Sequence, residues 1–249
     1  MLKLFLALAK IPCILLATAA LHITATPPQP PPSKSCLAPS TSWEVVIKYR
    51  GGPTVVKLIC WFAAFAEIFL ITTQALGHQA LAMSVFRPLG LQVDQPSTKF
   101  SSPSVNLRPS IMFLLGTSLA IAGGYIRHCC YQELGQMFTF EMSIMKDHRL
   151  VTTGPYAWAR HPAYAGVLLT ISGIVILHSA SGSCLIEYRA LETVVGKGMA
   201  AIYLTLTSMI TIGLMKRMPK EDEVLAEKFG QEWREWARRV PFRLFWGIY

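Results

Sequence analysis

The residues best suited to chemistry lie in one short segment, His148 to Gly166, between two apolar runs. Gly154-Pro155 predicts a turn there, because glycine accepts a positive φ and proline fixes its own φ. A cationic and aromatic group then stands at the start of the next apolar run: Arg160, His161, Pro162 and Tyr164. A helix N-terminus offers N–H groups and partial positive charge, so this segment is suited to hold a polar ligand that carries an anionic group.

A second polar group, Arg217 and residues 221–223, follows the last apolar run. If the runs that begin near Tyr164 and end near Arg217 are antiparallel helices, both polar groups meet at one end of the bundle. Each residue also has an ordinary structural interpretation: Arg217 as a charge that ends a membrane span, and residues 221–223 as the favourable acidic first turn of a helix.

Composition predicts a membrane protein. Of the 249 residues 52% are hydrophobic and 15% charged, which is too apolar for an ordinary soluble domain and indicates several spans. The formal net charge of +9 fits cytosolic loops and anionic lipids, and it gives little support to nucleic-acid binding. The six cysteines show no CxxC spacing, so they predict small buried apolar residues rather than a metal or redox site.

The apolar runs predict an all-α, multi-pass transmembrane helical bundle, since a span needs about 20 apolar residues. Glu67 lies inside the second run and is expected to face protein or water, and Gly116 to Gly124 give the third run small residues for close packing. Residues 219–239 predict a C-terminal amphipathic helix. The predicted spans, about five, are residues 4–25, 54–76, 110–126, 163–186 and 193–215.

The predicted organisation has two parts, an anchor helix with a proline-rich linker at 1–53 and a membrane domain at 54–249 with its core motifs at 141–239. A cleaved signal peptide is the alternative for the first run. Clustered Lys and Arg near residues 127–162 and at the C-terminal end place both on the cytosolic side, with the N-terminus on the lumenal side.

The motifs LVTTGPY and RHPAYAG, followed by RMPKEDEVLAEKFGQEWREWARRVP, resemble the isoprenylcysteine carboxyl methyltransferase family. The resemblance covers the C-terminal part of the chain. It implies an enzyme of the endoplasmic reticulum membrane, with its active site facing the cytosol, that uses S-adenosyl-L-methionine. The methyl group would go to the C-terminal carboxylate of prenylated cysteine in CaaX-processed proteins, which are the implied partners together with membrane lipid.

The resemblance also implies roles for individual residues. Arg217 matches the arginine that holds the substrate carboxylate, and Glu141 stands where relatives have a cofactor-contacting Gln. Pro219 predicts a helix boundary or kink between Arg217 and Glu221. The positions that match the cofactor-binding residues are Glu141, His148, Arg149, Leu150, Val151, Tyr156, His161, Pro162, Ala163, Tyr164 and Glu221.

Three other functions remain open from the sequence. A phospholipid N-methyltransferase carries similar C-terminal motifs but methylates an amine. A sterol reductase relative would use NADPH, although the chain has no dinucleotide-binding fingerprint. A membrane adaptor would use the proline-rich segment and the basic tail to recruit partners. The sequence predicts neither the oligomeric state nor a preference for farnesyl or geranylgeranyl chains.

Overall fold

The computed structural model describes residues 2–31, 51–90, 107–141, 143 and 149–245. These residues form helices joined by turns and short loops, which confirms the all-α prediction. The proline-rich linker beyond residue 31 and most of the predicted loop before residue 107 lie outside the described residues.

The helices follow one another in this order: α1 Leu2–Leu8, α2 Lys10–Thr24, α3 Gly51–Ala75, α4 Gln79–Phe86, α5 Ile111–Leu134, α6 Pro162–Ser179, α7 Cys184–Glu187, α8 Val194–Phe229 and α9 Gln231–Arg239. Single 3₁₀ turns at Arg87–Leu89, Gly135–Met137, Gly154–Ala157 and Ala190–Glu192 lie between them.

Four helical segments in the described part of the chain are long and apolar enough to cross a membrane: Phe5–Thr24, Gly51–Ala75, Pro162–Glu187 and Val194–Phe229. The sequence predicted about five. The remaining prediction, at 110–126, is a helix of 24 residues. Its C-terminal half carries Arg127, His128 and Glu133, which lowers its mean hydropathy.

The small residues of α5 pack closely against another helix, as predicted, and that helix is α6. A Cβ added at Gly123 would lie 2.5 Å from the carbonyl oxygen of Gly166, and one added at Gly166 would lie 2.7 Å from that of Gly123. At such distances only glycine fits without moving a backbone. Gly166 belongs to the RHPAYAG motif, so this contact fixes the position of the motif along α5.

The N-terminal helices join the same bundle. Lys10 on α2 is fully buried, and its Nζ donates hydrogen bonds to Oε1 of Glu67 and to the carbonyl oxygen of Gly182, both at 2.6 Å. Glu67 itself is 1% exposed. The expectation that Glu67 faces protein is therefore confirmed.

The region around Pro219 differs from the prediction. α8 runs for 36 residues and contains Pro219, so of the predicted boundary or kink between Arg217 and Glu221 the boundary is wrong. Consecutive turns of the helix place these residues four apart on one face. The predicted amphipathic helix at 219–239 is instead the end of α8 followed by α9, separated at Gly230, whose φ of 53° is in the left-handed region.

Candidate active site

The turn before α6 has the predicted form. Gly154 adopts a φ of 58° and opens the 3₁₀ turn Gly154–Ala157, in which Tyr156 is buried. The hydroxyl of Thr153 donates a 2.8 Å hydrogen bond to Glu133 at the end of α5, and the indole N–H of Trp236 donates one of 3.2 Å to the carbonyl oxygen of Tyr156. The turn is thereby held between α5 and α9.

The start of α6 and the end of α8 meet at one end of the bundle. The hydroxyl of Tyr164 donates a 2.8 Å hydrogen bond to Oε1 of Glu221. The Nε of Arg217 donates to the same oxygen at 2.6 Å, and its Nη1 donates to the carbonyl oxygen of Phe140. The two polar groups that the sequence places far apart therefore share one carboxylate.

His161, the N-cap residue of α6, lies between two carboxylates. Its Nδ1 is 3.4 Å from Oε2 of Glu221, and its Nε2 is 3.1 Å from Oδ1 of Asp222. Burial by itself lowers the pKa of His161, but the hydrogen bonds and charges of Asp222 and Glu221 outweigh burial and raise that pKa. The imidazole ring also stacks on that of Tyr164, with centroids 5.5 Å apart.

Asp222 is the centre of a wider charged cluster. Nη1 of Arg160 lies 3.0 Å from Oδ2 of Asp222, and Nε of Arg243 lies 3.3 Å from the same atom. The backbone N–H groups of Arg160 and His161 donate to the carbonyl oxygens of Phe242 and Arg243, at 3.0 and 2.7 Å. The C-terminal segment thus fixes the backbone and the side chains of the RHPAYAG motif.

A buried arginine completes the wall on the α5 side. Arg127 is 6% exposed, and its guanidinium lies 5.1 to 5.4 Å from the ring centroids of Tyr131, Phe138 and Phe140. It donates to the carbonyl oxygens of Thr24 and Ala163 at 2.8 and 3.1 Å. It therefore ties α2 to the first turn of α6.

These groups surround a cavity of about 210 Å³. One side is polar, with Arg217, Glu221 and His161, whereas apolar residues of α2, α3, α6 and α8 line another side. The predicted site residues that line it are Glu141, Arg149, Leu150, Val151, Tyr156, His161, Ala163, Tyr164, Arg217 and Glu221.

Two predicted positions stand apart from the others. Pro162 is buried in the first turn of α6 and does not line the cavity. His148 lies outside the described residues. Among the described residues, no group of three or more His, Cys, Asp or Glu side chains is placed to hold a metal ion.

Sequence analysis missed several residues of this site. Arg127 had a usable signal, because a cation in an apolar helix is costly unless it is partnered inside the protein. Arg243 had none, since single charges near a basic C-terminus are common, and Asp222 was named only as one of the acidic residues 221–223, without its partners. Phe138 and Phe140 lie in an irregular segment without periodicity, so no pattern placed them beside Arg127.

The fold and the cavity define an all-α protein with helices suited to a membrane and an amphipathic cavity at one end of the bundle. The model of the isoprenylcysteine carboxyl methyltransferase family matches residues 114–197. Residues 114–197 are therefore similar to this family, in agreement with the resemblance predicted from the motifs.

Individual relatives agree with that assignment. The chain is 29% identical to protein-S-isoprenylcysteine O-methyltransferase B of Arabidopsis thaliana over 51% of its own length and 55% of the relative's. It is 36% identical to the protein-S-isoprenylcysteine O-methyltransferase of Saccharomyces cerevisiae over 30% of its own length and 32% of the relative's. For a Xenopus laevis protein of the same name the identity is 27%, over 51% of this chain and 38% of the relative. The chain thus spans about half or less of the length of these relatives.

Proposed function

We propose that this protein transfers a methyl group from S-adenosyl-L-methionine to the C-terminal carboxylate of a prenylated cysteine. The observation that carries the proposal is one amphipathic cavity. Its polar part, formed by Arg217, Glu221 and His161 and called the cup below, continues into apolar helix faces. A substrate that combines an ionised carboxylate with a long isoprenoid chain needs both surfaces at once.

The polar and aromatic groups of the cup suit S-adenosyl-L-methionine, the proposed methyl donor. Glu221 suits its ammonium or ribose hydroxyl groups, because an ionised carboxylate only accepts hydrogen bonds. His161, whose pKa is raised by its neighbours Asp222 and Glu221, and the N-terminal turn of α6 suit its carboxylate. The ring of Tyr156 and neighbouring aromatic rings suit the sulfonium, since a cation is attracted to an aromatic face.

When bound, the donor supplies a methyl group on a sulfonium sulfur; a carbon–oxygen bond forms, the carbon–sulfur bond breaks, and a thioether and a neutral ester remain. The acceptor carboxylate is already ionised near neutral pH, so the protein supplies no general base. Its part is to orient the two reactants and to exclude water from the carboxylate, which strengthens its interactions.

Arg217 is the residue proposed to hold the substrate carboxylate. Its planar guanidinium carries five N–H donors and can bind several acceptors at once. Its hydrogen bonds to Glu221 and Phe140 fix its orientation at the boundary between the cup and the apolar faces. A carboxylate placed there lies next to the proposed methyl-donor site.

The membrane arrangement follows from the same cavity. The isoprenoid chain enters from the lipid between helices, whereas the soluble methyl donor enters from the aqueous side. We propose that this side is the cytosol and that the membrane is that of the endoplasmic reticulum. Prenylated CaaX-processed proteins are the proposed substrates, and the proposed membrane domain extends over 54–249, after the N-terminal part at 1–53.

The test uses the purified full chain in lipid vesicles, with labelled S-adenosyl-L-methionine and a farnesylcysteine analogue. Arg217→Ala and Glu221→Ala are each expected to lower methyl transfer by about tenfold to a hundredfold, as expected for the loss of hydrogen bonds to charged groups worth about 1.5–3 kcal/mol. Lys220→Ala is the matched control, because Lys220 is exposed on the same helix and lines no part of the cavity.

Three outcomes would contradict the proposal. Unchanged activity in both site variants would remove the site assignment. Transfer to a phospholipid amine but not to farnesylcysteine would replace the reaction with a phospholipid N-methyltransferase. A protein that binds no S-adenosyl-L-methionine in calorimetry would instead favour an adaptor.

A further inference from the structure

A second cavity, of about 280 Å³, lies between α3, α6 and α8. Most of its wall is apolar, and its few polar side chains include Glu67 and Tyr203. Leu191 and Val195 also line it, so it lies toward the α6–α8 connection, away from the charged cup. The methyl transfer proposed above gives this cavity no role.

The two cavities lie end to end along the same three helix faces. On α8, residues three or four apart line the first cavity from Glu221 back to Thr207 and the second cavity from Tyr203 onward. This spacing keeps their side chains on one face of the helix. The change from the first cavity to the second falls between Val56 and Cys60 on α3 and between Ile171 and Ile174 on α6.

Tyr203 is the largest side chain at this boundary. It is 8% exposed, and its hydroxyl is buried without a hydrogen-bond partner among the described residues. A buried hydroxyl without a hydrogen-bond partner adds no favourable free energy to the fold. Packing alone therefore holds the ring between the two cavities, and the ring can be moved or shortened without breaking a polar contact.

The path along α8 from Arg217 to Tyr203 has a length that can be compared with that of an isoprenoid chain. Arg217 and Tyr203 are 14 residues apart on an uninterrupted helix, which corresponds to about 21 Å at 1.5 Å per residue. A substrate whose carboxylate lies at Arg217 can extend its chain along α8 past Leu214 and Ile210. The end of the chain then approaches Thr207 and the ring of Tyr203.

We propose that Tyr203 limits the length of the isoprenoid chain that this site accepts, and that the second cavity receives the end of a longer chain once the ring is removed. A farnesyl chain ends before the boundary, whereas a geranylgeranyl chain, longer by one isoprenoid unit, crosses it. This inference rests on the proposed function and adds a specificity-determining residue to it.

The experiment measures kcat/KM for farnesylcysteine and geranylgeranylcysteine analogues with the full chain in lipid vesicles. Tyr203→Ala is expected to raise the ratio of geranylgeranyl to farnesyl activity by roughly tenfold or more, the lower end of what one methylene in an apolar pocket contributes to discrimination. Tyr203→Phe keeps the ring and is expected to keep the wild-type ratio.

A second variant keeps the test valid if Tyr203→Ala folds poorly. Ala200 lines only the second cavity, and Ala200→Phe fills part of that cavity while it leaves the Tyr203 side chain itself unchanged. Ala200→Phe is expected to lower geranylgeranyl activity several-fold more than farnesyl activity, and to reverse the gain of Tyr203→Ala in the double variant. Ile202→Ala is the control, because Ile202 is 49% exposed and lines neither cavity.

The failures of the two proposals are distinguishable. A wild-type protein that methylates neither analogue contradicts the proposed function and this inference with it. Methylation of both analogues with a ratio that neither Tyr203→Ala nor Ala200→Phe changes contradicts the role of Tyr203 alone. An equal ratio shift in Tyr203→Phe would assign the effect to the hydroxyl and overturn the chain-length argument.

Discussion

The hydroxyl of Tyr164 lies 2.8 Å from Oε1 of Glu221, and this hydrogen bond joins the first turn of α6 to α8. The two residues are 57 positions apart in the chain. Because Arg217 donates to the same oxygen, one carboxylate connects the motif that precedes the α6–α8 hairpin to the residues that follow it. The proposed site depends on this convergence.

Tyr164→Phe removes that hydrogen bond while it keeps the ring that stacks on His161. A hydrogen bond to a charged group contributes about 1.5–3 kcal/mol, so the KM for S-adenosyl-L-methionine is expected to rise about tenfold or more. The KM for farnesylcysteine should change little. Tyr125→Phe is the matched control, since Tyr125 on α5 is 68% exposed. A rise in both KM values together would indicate general damage to the fold.

The raised pKa of His161 predicts a loss of stability at alkaline pH. The folded protein holds the imidazolium more firmly than the unfolded chain does, so this stabilisation is fully present below the ordinary pKa of about 6.5 and is lost as pH rises through the raised pKa. The thermal unfolding midpoint of the wild type should fall over that interval.

In His161→Asn the thermal unfolding midpoint should depend less on pH over this interval, because the asparagine side chain does not lose a proton. His128→Asn, at an exposed position on α5, should keep the wild-type profile. Parallel curves for the wild type and His161→Asn would show that another group is responsible.

The close approach of α5 and α6 predicts opposite effects for two glycine-to-alanine changes. Gly123→Ala places a methyl group 2.5 Å from the backbone of Gly166, and overpacking of this kind costs about 1–3 kcal/mol. Gly198→Ala, on α8, meets nothing within 4 Å and should be neutral or stabilising by up to about 1 kcal/mol. The measurement is the unfolding midpoint in detergent, and equal midpoints for both variants would contradict the packing.

The buried pair of Lys10 and Glu67 predicts non-additive mutations. Lys10→Met leaves the Glu67 carboxylate buried beside an apolar side chain, which costs about 3–5 kcal/mol. Lys10→Met with Glu67→Leu removes both charges and should recover most of the lost stability. A double-mutant cycle on the unfolding free energy measures the coupling, and strict additivity would show that the two charges do not interact.

Much of the fold followed from hydropathy, because each long apolar run needs a helix and each short connection needs a hairpin. The small residues of α5 predicted close helix packing for the same local reason, but not that α6 is the partner. Pro219 shows where local reasoning fails. Its missing N–H predicts a break, but the surrounding packing of Arg217, Met218 and Asp222 keeps α8 continuous.

Residues of the candidate site could be named where a sequence motif contains them, but not where only tertiary contacts bring them together. The residues of RHPAYAG and Glu221 were named from their order in the chain, and most of them line the cavity. The contacts of these residues could not be predicted, because no local pattern relates Asp222 to Arg243 or Arg127 to Phe140. Matched residues 114–197 also end before Arg217, so the roles of Arg217 and Glu221 stay predictions.

The pairing of Arg160 and His161 with the backbone of Phe242 and Arg243 has a consequence for biosynthesis. These partners follow every helix of the bundle in the chain, so the pocket stays unfinished on the ribosome until they emerge. A nascent chain that ends after α8 therefore lacks the backbone acceptors of Phe242 and Arg243 that hold this motif. The order of segments along the chain therefore delays the completion of the proposed site until the residues after α9 have been made.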